Sequence, residues 1–367
     1  MKILAPGSTI GIIGGGQLGR MLAIAAAQLG YRSHIYSPEL SGPAADVAPR
    51  WTQGAYDDVV ALAAFAAEIH VATYEFENVD ADPLEALAAR VPLHPPLAAL
   101  RIAQDRVAEK TFAAAQGAVT AAWTEVNSRA DLDRAIAAIG TPAILKTTRF
   151  GYDGKGQSRL ASSADADAAY DAIDRSPAIL EALVAFDHEY SVIVARGQDG
   201  LSGVWDAPEN VHVDGILATS TIPPHPDIVA QLDEAKAIAT RLADALDYVG
   251  VMAVEFFASA EGPVFNEMAP RVHNSGHWTI EGAVASQFEN HIRAVCGLPL
   301  GDTSLVAPQV VMQNLIGADV VRWPELFAQT GAHVHLYGKH EAPPGRKMGH
   351  VTRISGNRVV ETGASLP

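Results

Sequence analysis

The chain has 367 residues, of which 49% are apolar and 19% charged, and its formal net charge is −16. This length allows two or three domains, and the acidic balance argues against duplex nucleic-acid binding, which depends on cationic contacts with phosphate. A single cysteine, Cys296, excludes an intrachain disulfide and a multi-cysteine metal site. Because no apolar run approaches about 18 residues and the N terminus does not read as a secretion signal, we expect a cytoplasmic protein without a membrane span.

The first hundred residues alternate between strands and helices. Strands are predicted at 10–13, 34–36 and 71–75, and helices at 16–29 and 57–68. This alternation predicts a small parallel sheet over residues 1–100. Between the first strand and helix, the spacing Gly14-x-Gly16-x-x-Gly19 can bring a ligand phosphate to backbone amides. A nicotinamide cofactor and a purely structural turn remain alternatives, although the acid that would hold the cofactor's ribose is displaced to Glu39, beyond a proline.

From residue 106 the pattern changes to short helices and paired strands, which predicts an α+β domain with antiparallel sheets over 106–300. The predicted strand pairs are 143–149 with 156–160, 189–195 with 202–206, and 250–257 with 263–268. A helix over 281–296 is predicted to bury Val284, Phe288, Ile292 and Val295 on one face. The remaining residues, 301–367, predict a small β-rich C-terminal domain.

Lys146 lies within an apolar strand segment, where an ammonium group is costly unless it is paired or meets an anion. Gly151, Gly154 and Gly156 follow it closely and predict a mobile flap, whose amides and Lys155 can close over a triphosphate. The alternative is a flexible surface hairpin with a lysine at its rim. The segment does not match a Walker A motif, because no Gly-Lys-Ser/Thr opens a helix.

Glu255 and Glu267 lie on two strands that we expect to form a β-hairpin. If 260–262 is a three-residue loop, Ser259 faces Pro263 and Glu255 faces Glu267. Like charges directly opposite each other destabilise a sheet, and desolvation adds to the cost. A Mg²⁺ ion bound by both carboxylates and by nucleotide phosphates removes this conflict. Two solvated glutamates on an exposed sheet face are the alternative.

Two polar groups follow the hairpin. Arg271, His273 and Asn274 supply a bidentate cation and hydrogen-bond donors for a planar anion. A cationic group further along the chain comprises Lys339, Arg346 and Lys347. It can hold a phosphate monoester, and the alternative is a basic cluster on the surface.

Taken together, these segments resemble the ATP-grasp superfamily and, within it, the N5-carboxyaminoimidazole ribonucleotide synthase family. The resemblance extends over about residues 8–352 and implies a Rossmann-like (pre-ATP-grasp) domain at 1–105, a two-lobed ATP-grasp domain at 106–300 and a small β-rich C-terminal domain at 301–367. The segments that carry it are Gly16-Gln-Leu-Gly-Arg-Met21, Gly151-Tyr-Asp-Gly-Lys-Gly-Gln157, Ala269-Pro-Arg-Val-His-Asn-Ser-Gly-His-Trp-Thr279 and Pro344-Gly-Arg-Lys-Met-Gly-His350.

The resemblance implies a reaction in de novo purine biosynthesis. ATP phosphorylates bicarbonate to carboxyphosphate, and the amine of 5-aminoimidazole ribonucleotide takes the carboxyl group, with release of ADP and phosphate. It implies Mg²⁺ as cofactor, these small molecules as the partners, and a homodimer. Another ATP-grasp enzyme acting on a different phosphorylated amine, a nicotinamide-dependent oxidoreductase and a nucleotide sensor without turnover remain alternatives.

The resemblance also assigns roles to individual residues, with Glu75 favoured over Glu77 for substrate contact. The implied metal ligands are Glu255 and Glu267. The implied ATP contacts are Arg106, Lys146, Gly151, Tyr152, Asp153, Gly154, Lys155, Gly156, Gln157, Glu181, Ala182, Leu183, Val184, Glu189, His212, Asn266 and Glu267. The implied ribonucleotide contacts are Gln17, Leu18, Glu75, Tyr152, Asn274, Lys339, Arg346 and Lys347. The candidates for a catalytic role are Arg271, His273, Asp153 and Lys339.

Overall fold

The computed structural model describes residues 3–151 and 155–356. Its strands form three sheets: a four-stranded parallel sheet near the N terminus, a four-stranded antiparallel sheet and a ten-stranded sheet. Within those residue ranges, every helix is too short or too polar to span a bilayer. The sheets confirm the predicted combination of an α/β N-terminal part with α+β parts further along the chain.

The N-terminal part confirms the predicted strand–turn–helix alternation. Its strands are β1 (Thr9–Ile13), β2 (Arg32–Ser37), β3 (Arg50–Gln53) and β4 (Val71–Tyr74), in the spatial order β3-β2-β1-β4. Its helices are α1 (Gln17–Gln28), α2 (Val59–Ala66), α3 (Ala81–Ala88) and α4 (Leu97–Ala103). Because β1 and β4 are parallel neighbours, their carboxyl ends meet at one edge, and the glycine turn after β1 lies beside Glu75.

The four-stranded antiparallel sheet contains the lysine strand. Its strands are β6 (Trp123–Val126), β7 (Ala143–Thr147), β8 (Gln157–Leu160) and β9 (Ala178–Ala182), in the order β6-β9-β7-β8. Helices α6 (Arg129–Ile139) and α7 (Ala166–Ala172) cover it through buried residues such as Leu132 and Ala169. The β7–β8 pairing confirms the first predicted strand pair, and Lys146 lies at its end next to the flap.

The ten-stranded sheet contains the carboxylate hairpin and continues into the C-terminal residues. Its strands are β5 (Val119–Thr120), β10 (His188–Arg196), β11 (Ser202–Val204), β12 (Glu209–Val213), β13 (Ile216–Ile222), β14 (Gly250–Ser259), β15 (Gly262–Ala269), β16 (Gln309–Ile316), β17 (Ala332–Leu336) and β18 (Lys347–Ser355). The helices of this part are α5 (Arg106–Ala115), α8 (Pro226–Val229), α9 (Leu232–Ala245), α10 (Thr279–Gly282), α11 (Gln287–Val295) and α12 (Trp323–Phe327). Pairings of β10 with β11 and of β14 with β15 confirm the other two predicted strand pairs. Since β16 pairs with β13, the C-terminal strands extend the central sheet.

The helix predicted over 281–296 is interrupted. The chain leaves the helical path after Gly282, and α11 begins after a short break. Ser286 explains the new start, because its side chain accepts a hydrogen bond from the backbone amide of Glu289 as an N-cap. Val284 falls in the break and is 58% exposed, so its predicted place on the buried face is wrong, whereas the other three predicted residues are buried.

One apolar core joins the N-terminal part to the ten-stranded sheet. It contains Ile10 and Leu22 from the first part, Val251 from β14 and Ile292 from α11. Because protein interiors are close-packed, this shared core fixes the glycine turn relative to the carboxylate hairpin. Cys296 is buried in the same core, and burial raises the pKa of its thiol to about 12, as is typical of a structural rather than a reactive cysteine.

Candidate active site

A cavity of about 660 Å³ lies between the N-terminal part, the carboxylate hairpin and the last strands. Residues from all three predicted domains meet there, and the volume suits a small-molecule site. The predicted site residues that line it are Gln17, Leu18, Glu75, Arg106, Gly151, Lys155, Glu255, Glu267, Arg271, His273, Asn274, Lys339, Arg346 and Lys347. Three predicted flap residues, Tyr152, Asp153 and Gly154, lie outside the described residues.

Glu255 and Glu267 face each other across the β14–β15 hairpin, as predicted, but the register at the hairpin tip differs. Ser259 does not pair with Pro263 but with the residue before it, so the loop has two residues instead of three. A β-bulge at Asn266 then inserts one residue into β15 and restores the Glu255–Glu267 pair. The predicted pair is confirmed, and the predicted tip is wrong.

The two opposed glutamates form an acidic pair in the cleft. Burial, followed by the charge of Glu267, raises the pKa of Glu255 to about 7. Arg106 Nη1 lies 3.3 Å from Glu267 Oε2, and His273 Nε2 lies 3.5 Å from Glu255 Oε1. Burial lowers the pKa of His273 well below its usual range, so this imidazole contributes no positive charge near neutral pH. The oxygen-only donor set matches the preference of a hard divalent cation, so these residues fit Mg²⁺.

Two buried lysines share the carboxylate of Glu181. Lys146 Nζ lies 2.6 Å from Glu181 Oε2, and Lys110 Nζ lies 2.5 Å from Glu181 Oε1. Burial acts to raise the pKa of Glu181, but the two lysines outweigh it and lower the pKa. The carboxylate of Glu181 thus offsets part of the cost of burying Lys146. The buried triad of Lys110, Lys146 and Glu181 keeps one net positive charge, which can meet an anion. Sequence reasoning missed Lys110, although its spacing from Arg106 places both on one helix face.

The remaining predicted ATP-binding residues do not line the cavity, and two pairs among them, Lys146 with Glu181 and Glu189 with His212, are in direct contact. Glu189 Oε2 lies 2.7 Å from His212 Nδ1. Burial acts to lower the pKa of His212, but Glu189 and then Glu255 outweigh it and raise the pKa, so this pair is electrostatically coupled to Glu255. The residues of this group are Lys146, Gly156, Gln157, Glu181, Ala182, Leu183, Val184, Glu189, His212 and Asn266.

The glycine turn after β1 has a protein carboxylate as its partner. The backbone amides of Gly16 and Gly19 donate to Glu75 at 2.8 and 3.1 Å. A Cβ atom at Gly14 would lie 2.5 Å from Glu75 Cγ, so this close approach requires glycine. In this structure Glu75 occupies the amides of Gly16 and Gly19, so these two amides are not available to a ligand phosphate. The nicotinamide alternative loses its pyrophosphate site for the same reason.

Arg271 is paired with Glu77, a residue that the sequence did not link to it. Nη2 of Arg271 donates to Glu77 Oε1 at 2.7 Å, and Nε donates to the other carboxylate oxygen. This bidentate pair fixes the guanidinium in the cavity wall. An anion bound there would meet an oriented arginine–glutamate pair rather than a lone guanidinium.

The predicted phosphate-binding group lies at the end of the cleft nearest the glycine turn. A neighbouring cavity of about 550 Å³ shares Gln17, Glu75, Lys339 and Arg346 with the main one. Lys339 Nζ donates to the backbone carbonyl of Lys347 at 2.6 Å, which ties the segment before β18 to the start of that strand. The structure therefore brings the three cations together, as predicted.

A further group of metal-ligand side chains, His188, His225 and Asp227, lies outside both cavities. The two imidazole rings stack with centroids 4.1 Å apart and planes 19° from parallel. Imidazole binds metals through a lone pair in the ring plane, and stacked parallel rings do not direct these lone pairs to one point. His188 Nδ1 is also bonded to Glu209 Oε1 at 2.8 Å. We therefore assign no metal to this group.

Glu109 is buried in the cleft wall and was not predicted from the sequence to lie at the site. Burial, followed by Glu267, raises its pKa from 4.5 to about 8. The folded protein therefore binds more protons than the unfolded chain between these values, and the contribution of Glu109 to stability falls as the pH rises through that window. We predict that Glu109→Gln gains stability relative to the parent from about pH 5 to about pH 8, measured by urea unfolding. A stability difference that is constant over this range would contradict the raised pKa.

Sequence profiles of three domain families match the chain in order. The ribonucleotide synthetase preATP-grasp domain matches residues 7–104, and the ATP-grasp domain matches residues 111–288. The phosphoribosylaminoimidazole carboxylase C-terminal domain matches residues 310–360.

Relatives match this chain over nearly the whole of both lengths. The N5-carboxyaminoimidazole ribonucleotide synthase of Brucella melitensis is 53% identical, covering 96% of this chain and 97% of the relative. That of Bacillus subtilis is 41% identical, covering 96% and 92%. A solved ADP complex of an N5-carboxyaminoimidazole ribonucleotide synthetase gives a TM-score of 0.92 at 43% identity, covering 97% of this chain and 94% of the other. The Aspergillus clavatus synthase, solved with ADP and 5-aminoimidazole ribonucleotide, gives 0.89 at 30% identity, covering 95% and 94%.

Proposed function

The chain belongs to the N5-carboxyaminoimidazole ribonucleotide synthase family of ATP-grasp ligases, and from this membership we propose how its cleft residues divide the reaction. The reaction is the ATP-dependent carboxylation of 5-aminoimidazole ribonucleotide in purine biosynthesis. The observation that carries the assignment of the cleft is the Glu255–Glu267 pair, which lies beside Arg106.

The two chemical steps both move negative charge. An oxygen of bicarbonate attacks the γ-phosphorus of ATP, the bond to ADP breaks, and carboxyphosphate forms. The amine nitrogen then attacks the carboxyl carbon, loses a proton, and phosphate leaves as the carbon–oxygen bond breaks. Arg106 and Arg271 place positive charge where these anions develop, which favours both steps. Carboxyphosphate hydrolyses readily, so closure of the flap at 151–157 would protect it from water.

Glu255 and Glu267 are the residues that would hold Mg²⁺ together with the nucleotide phosphates. When bound, this ion neutralises phosphate charge. The support is the donor set itself: two carboxylates opposed across a hairpin, one of them with its pKa raised to about 7.

We assign the nucleotide to the predicted ATP-binding residues at and beside the cavity wall. Lys146 and Arg106 meet the phosphates, and the Glu189–His212 pair takes the ribose, since the imidazole orients the carboxylate. Residues 181–184 present their main chain to the adenine edge. The flap residues that close over the phosphates are Gly151, Tyr152, Asp153, Gly154, Lys155, Gly156 and Gln157, and Asn266 borders the metal ligands.

The ribonucleotide is assigned to the cavity end that Glu75 and Asn274 line. Asn274 Nδ2 donates to Asn314 Oδ1 at 3.0 Å, which orients its amide. His273 is neutral and serves as a hydrogen-bond partner for bicarbonate rather than as a cation. The other proposed contacts are Gln17, Leu18, Tyr152 and Asp153 for the base and ribose, and Lys339, Arg346 and Lys347 for the 5′-phosphate.

Arg346→Ala is expected to raise the KM for the ribonucleotide by about 10- to 100-fold and to change kcat by less than about threefold. The reason is that a phosphate remote from the reacting carbon is bound equally in the ground and transition states. Steady-state kinetics at saturating ATP and bicarbonate measure both constants. Arg322→Ala is the matched control, because Arg322 is an exposed arginine of the same C-terminal segment, 3.5 Å from Glu325. An unchanged KM in Arg346→Ala would contradict the phosphate assignment.

The substrate assignment is tested by a coupled ADP-release assay in which each component is omitted in turn. ADP is expected only when Mg²⁺-ATP, bicarbonate and 5-aminoimidazole ribonucleotide are all present. Turnover that persists at the same rate without the aminoimidazole would contradict it and would favour another ATP-grasp ligase.

Family membership also leads us to propose a homodimer in the cytoplasm. The small phosphorylated substrates and the single, buried cysteine are compatible with that compartment. Light scattering coupled to size-exclusion chromatography tests the dimer, and a mass of one chain would contradict it.

A further inference from the structure

We propose that Glu109 and Lys110 are positioning residues, which hold the β-bulge at Asn266 and thereby direct the carboxylate of Glu267 towards Glu255. Both side chains project from α5 and are buried, with 2% and 0% exposure. This inference rests on the proposed use of the carboxylate pair and concerns what sets its geometry.

The two side chains bind the main chain on either side of Glu267. Lys110 Nζ donates to the backbone carbonyl of Asn266 at 3.4 Å. Glu109 Oε1 accepts a hydrogen bond from the backbone amide of Met268 at 2.7 Å. Two adjacent residues of one helix thus form hydrogen bonds to the residues immediately before and after Glu267.

Among the described strands, only β5 pairs with the outer edge of β15, and it reaches only Val264 and Phe265, so main-chain groups further along that edge need other partners. An inserted residue disrupts the ladder locally and leaves main-chain groups to find other partners. Met268 is buried, with 4% exposure, and a buried amide without a partner is costly. The carboxylate of Glu109 supplies the partner for the Met268 amide, which stabilises the bulge in its observed position.

The bulge in turn decides which face of the sheet Glu267 occupies. If the register of the hairpin tip continued through β15, Glu255 would pair with Asn266 and Glu267 would lie opposite Val254. A shift of one residue moves a side chain to the other face of a strand. Val254 is fully buried in an apolar core, so Glu267 would leave the cleft. Fixing the bulge therefore fixes the opposed carboxylates.

The helix that carries the two residues is itself fixed at several points. Asp105 caps it by accepting from the amides of Val107 and Ala108 at 2.9 and 3.1 Å. The amide of Arg106 donates to the carbonyl of Thr148 at 2.9 Å, next to the lysine strand. Lys110 is further held by Glu181, so α5 connects the bulge to both lysines of the buried triad.

The experiment separates the reach of the Glu109 side chain from its acidic group. Glu109→Asp keeps the carboxyl group but shortens the side chain by one methylene, whereas Glu109→Gln keeps the length and an acceptor oxygen. Glu109→Asp is expected to weaken Mn²⁺ binding in the presence of ADP by about tenfold, and Glu109→Gln by less than about threefold. Electron paramagnetic resonance of free Mn²⁺ measures binding directly, and the Mg²⁺ concentration for half-maximal ADP release is expected to shift in parallel.

Asn290→Ala is the control for general loss of stability. Asn290 is fully buried and bonded to the main chain of Gly301 at 3.1 and 2.6 Å, away from the cleft. It is expected to lower the thermal unfolding temperature without changing Mn²⁺ affinity. The proposal is overturned if Glu109→Asp binds Mn²⁺ like the parent, if Asn290→Ala weakens binding as much, or if Glu109→Gln is the weaker of the two Glu109 variants. Absence of Mn²⁺ binding by the parent would overturn the proposed metal site as well, which distinguishes the two failures.

Discussion

Glu267→Gln is expected to lower the rate of ADP release at saturating substrates by at least about 10³-fold. Glutamine preserves the size of the side chain and one oxygen, but it removes the negative charge that a divalent cation requires opposite Glu255. The fold should persist, because the Glu267 side chain is 43% exposed and its nearest charged contact, with Arg106, is 3.3 Å long. Turnover is measured by the coupled ADP assay, and the fold by circular dichroism and thermal unfolding.

Glu261→Gln is the matched control for this substitution. Glu261 is an exposed glutamate at the tip of the same hairpin and makes the same change in charge. It is expected to retain parental turnover. If Glu267→Gln also retained near-normal activity, the assignment of the metal site would be wrong.

Glu181→Gln is expected to lower the free energy of unfolding by about 3–5 kcal/mol. The Glu181 side chain is 4% exposed, and its loss of charge leaves Lys110 and Lys146 buried without their shared carboxylate. Removing one partner of a buried ionic group is costly because the remaining charge has lost its hydration and gains nothing in return. Equilibrium unfolding in urea near neutral pH measures the change.

Asp171→Asn provides the surface comparison. Asp171 pairs with Arg175 at 2.7 Å, but both side chains are 59% exposed, so solvent screens the pair. Its loss is expected to cost less than about 1 kcal/mol. A change for Glu181→Gln as small as that for Asp171→Asn would show that the lysines do not depend on the buried carboxylate.

The carboxylate hairpin shows what local sequence can and cannot predict. The alternation of apolar and acidic residues is a local property, so it correctly placed Glu255 and Glu267 on one face. A two-residue loop with a bulge and a three-residue loop without one produce the same pair, and local pattern does not distinguish them. The bulge depends on Glu109 and Lys110, which belong to a helix more than a hundred residues away.

Pairings between distant charged residues were the least predictable part of the site. Glu77 and Arg271 are 194 residues apart, and Lys110 and Glu181 are 71 apart. Each pairing exists because the tertiary fold brings two elements together, so it cannot be predicted from local sequence periodicity. The resemblance to a family predicted the domain order and the reaction, while the structure was needed to show Glu75 on the amides of the glycine turn.

The prediction of secondary structure was wrong mainly where a helix-capping residue interrupts a run of apolar periodicity. The spacing from Val284 through Val295 fits one helix face, yet Ser286 begins a new helix and the chain breaks before it. A serine followed three residues later by glutamate is a recognised N-terminal signal, so the sequence contained the information that the apolar pattern concealed.

In the proposed mechanism, this cleft activates bicarbonate by transferring the γ-phosphoryl group of ATP to it. Carbonate labelled with ¹⁸O tests this directly, since the oxygen that attacks phosphorus stays with phosphate when the amine displaces it. The protein is expected to place one ¹⁸O atom from bicarbonate in each phosphate released, as measured by mass spectrometry during turnover with 5-aminoimidazole ribonucleotide. Phosphate free of the label would contradict this mechanism, because it would mean that ATP is cleaved without forming carboxyphosphate.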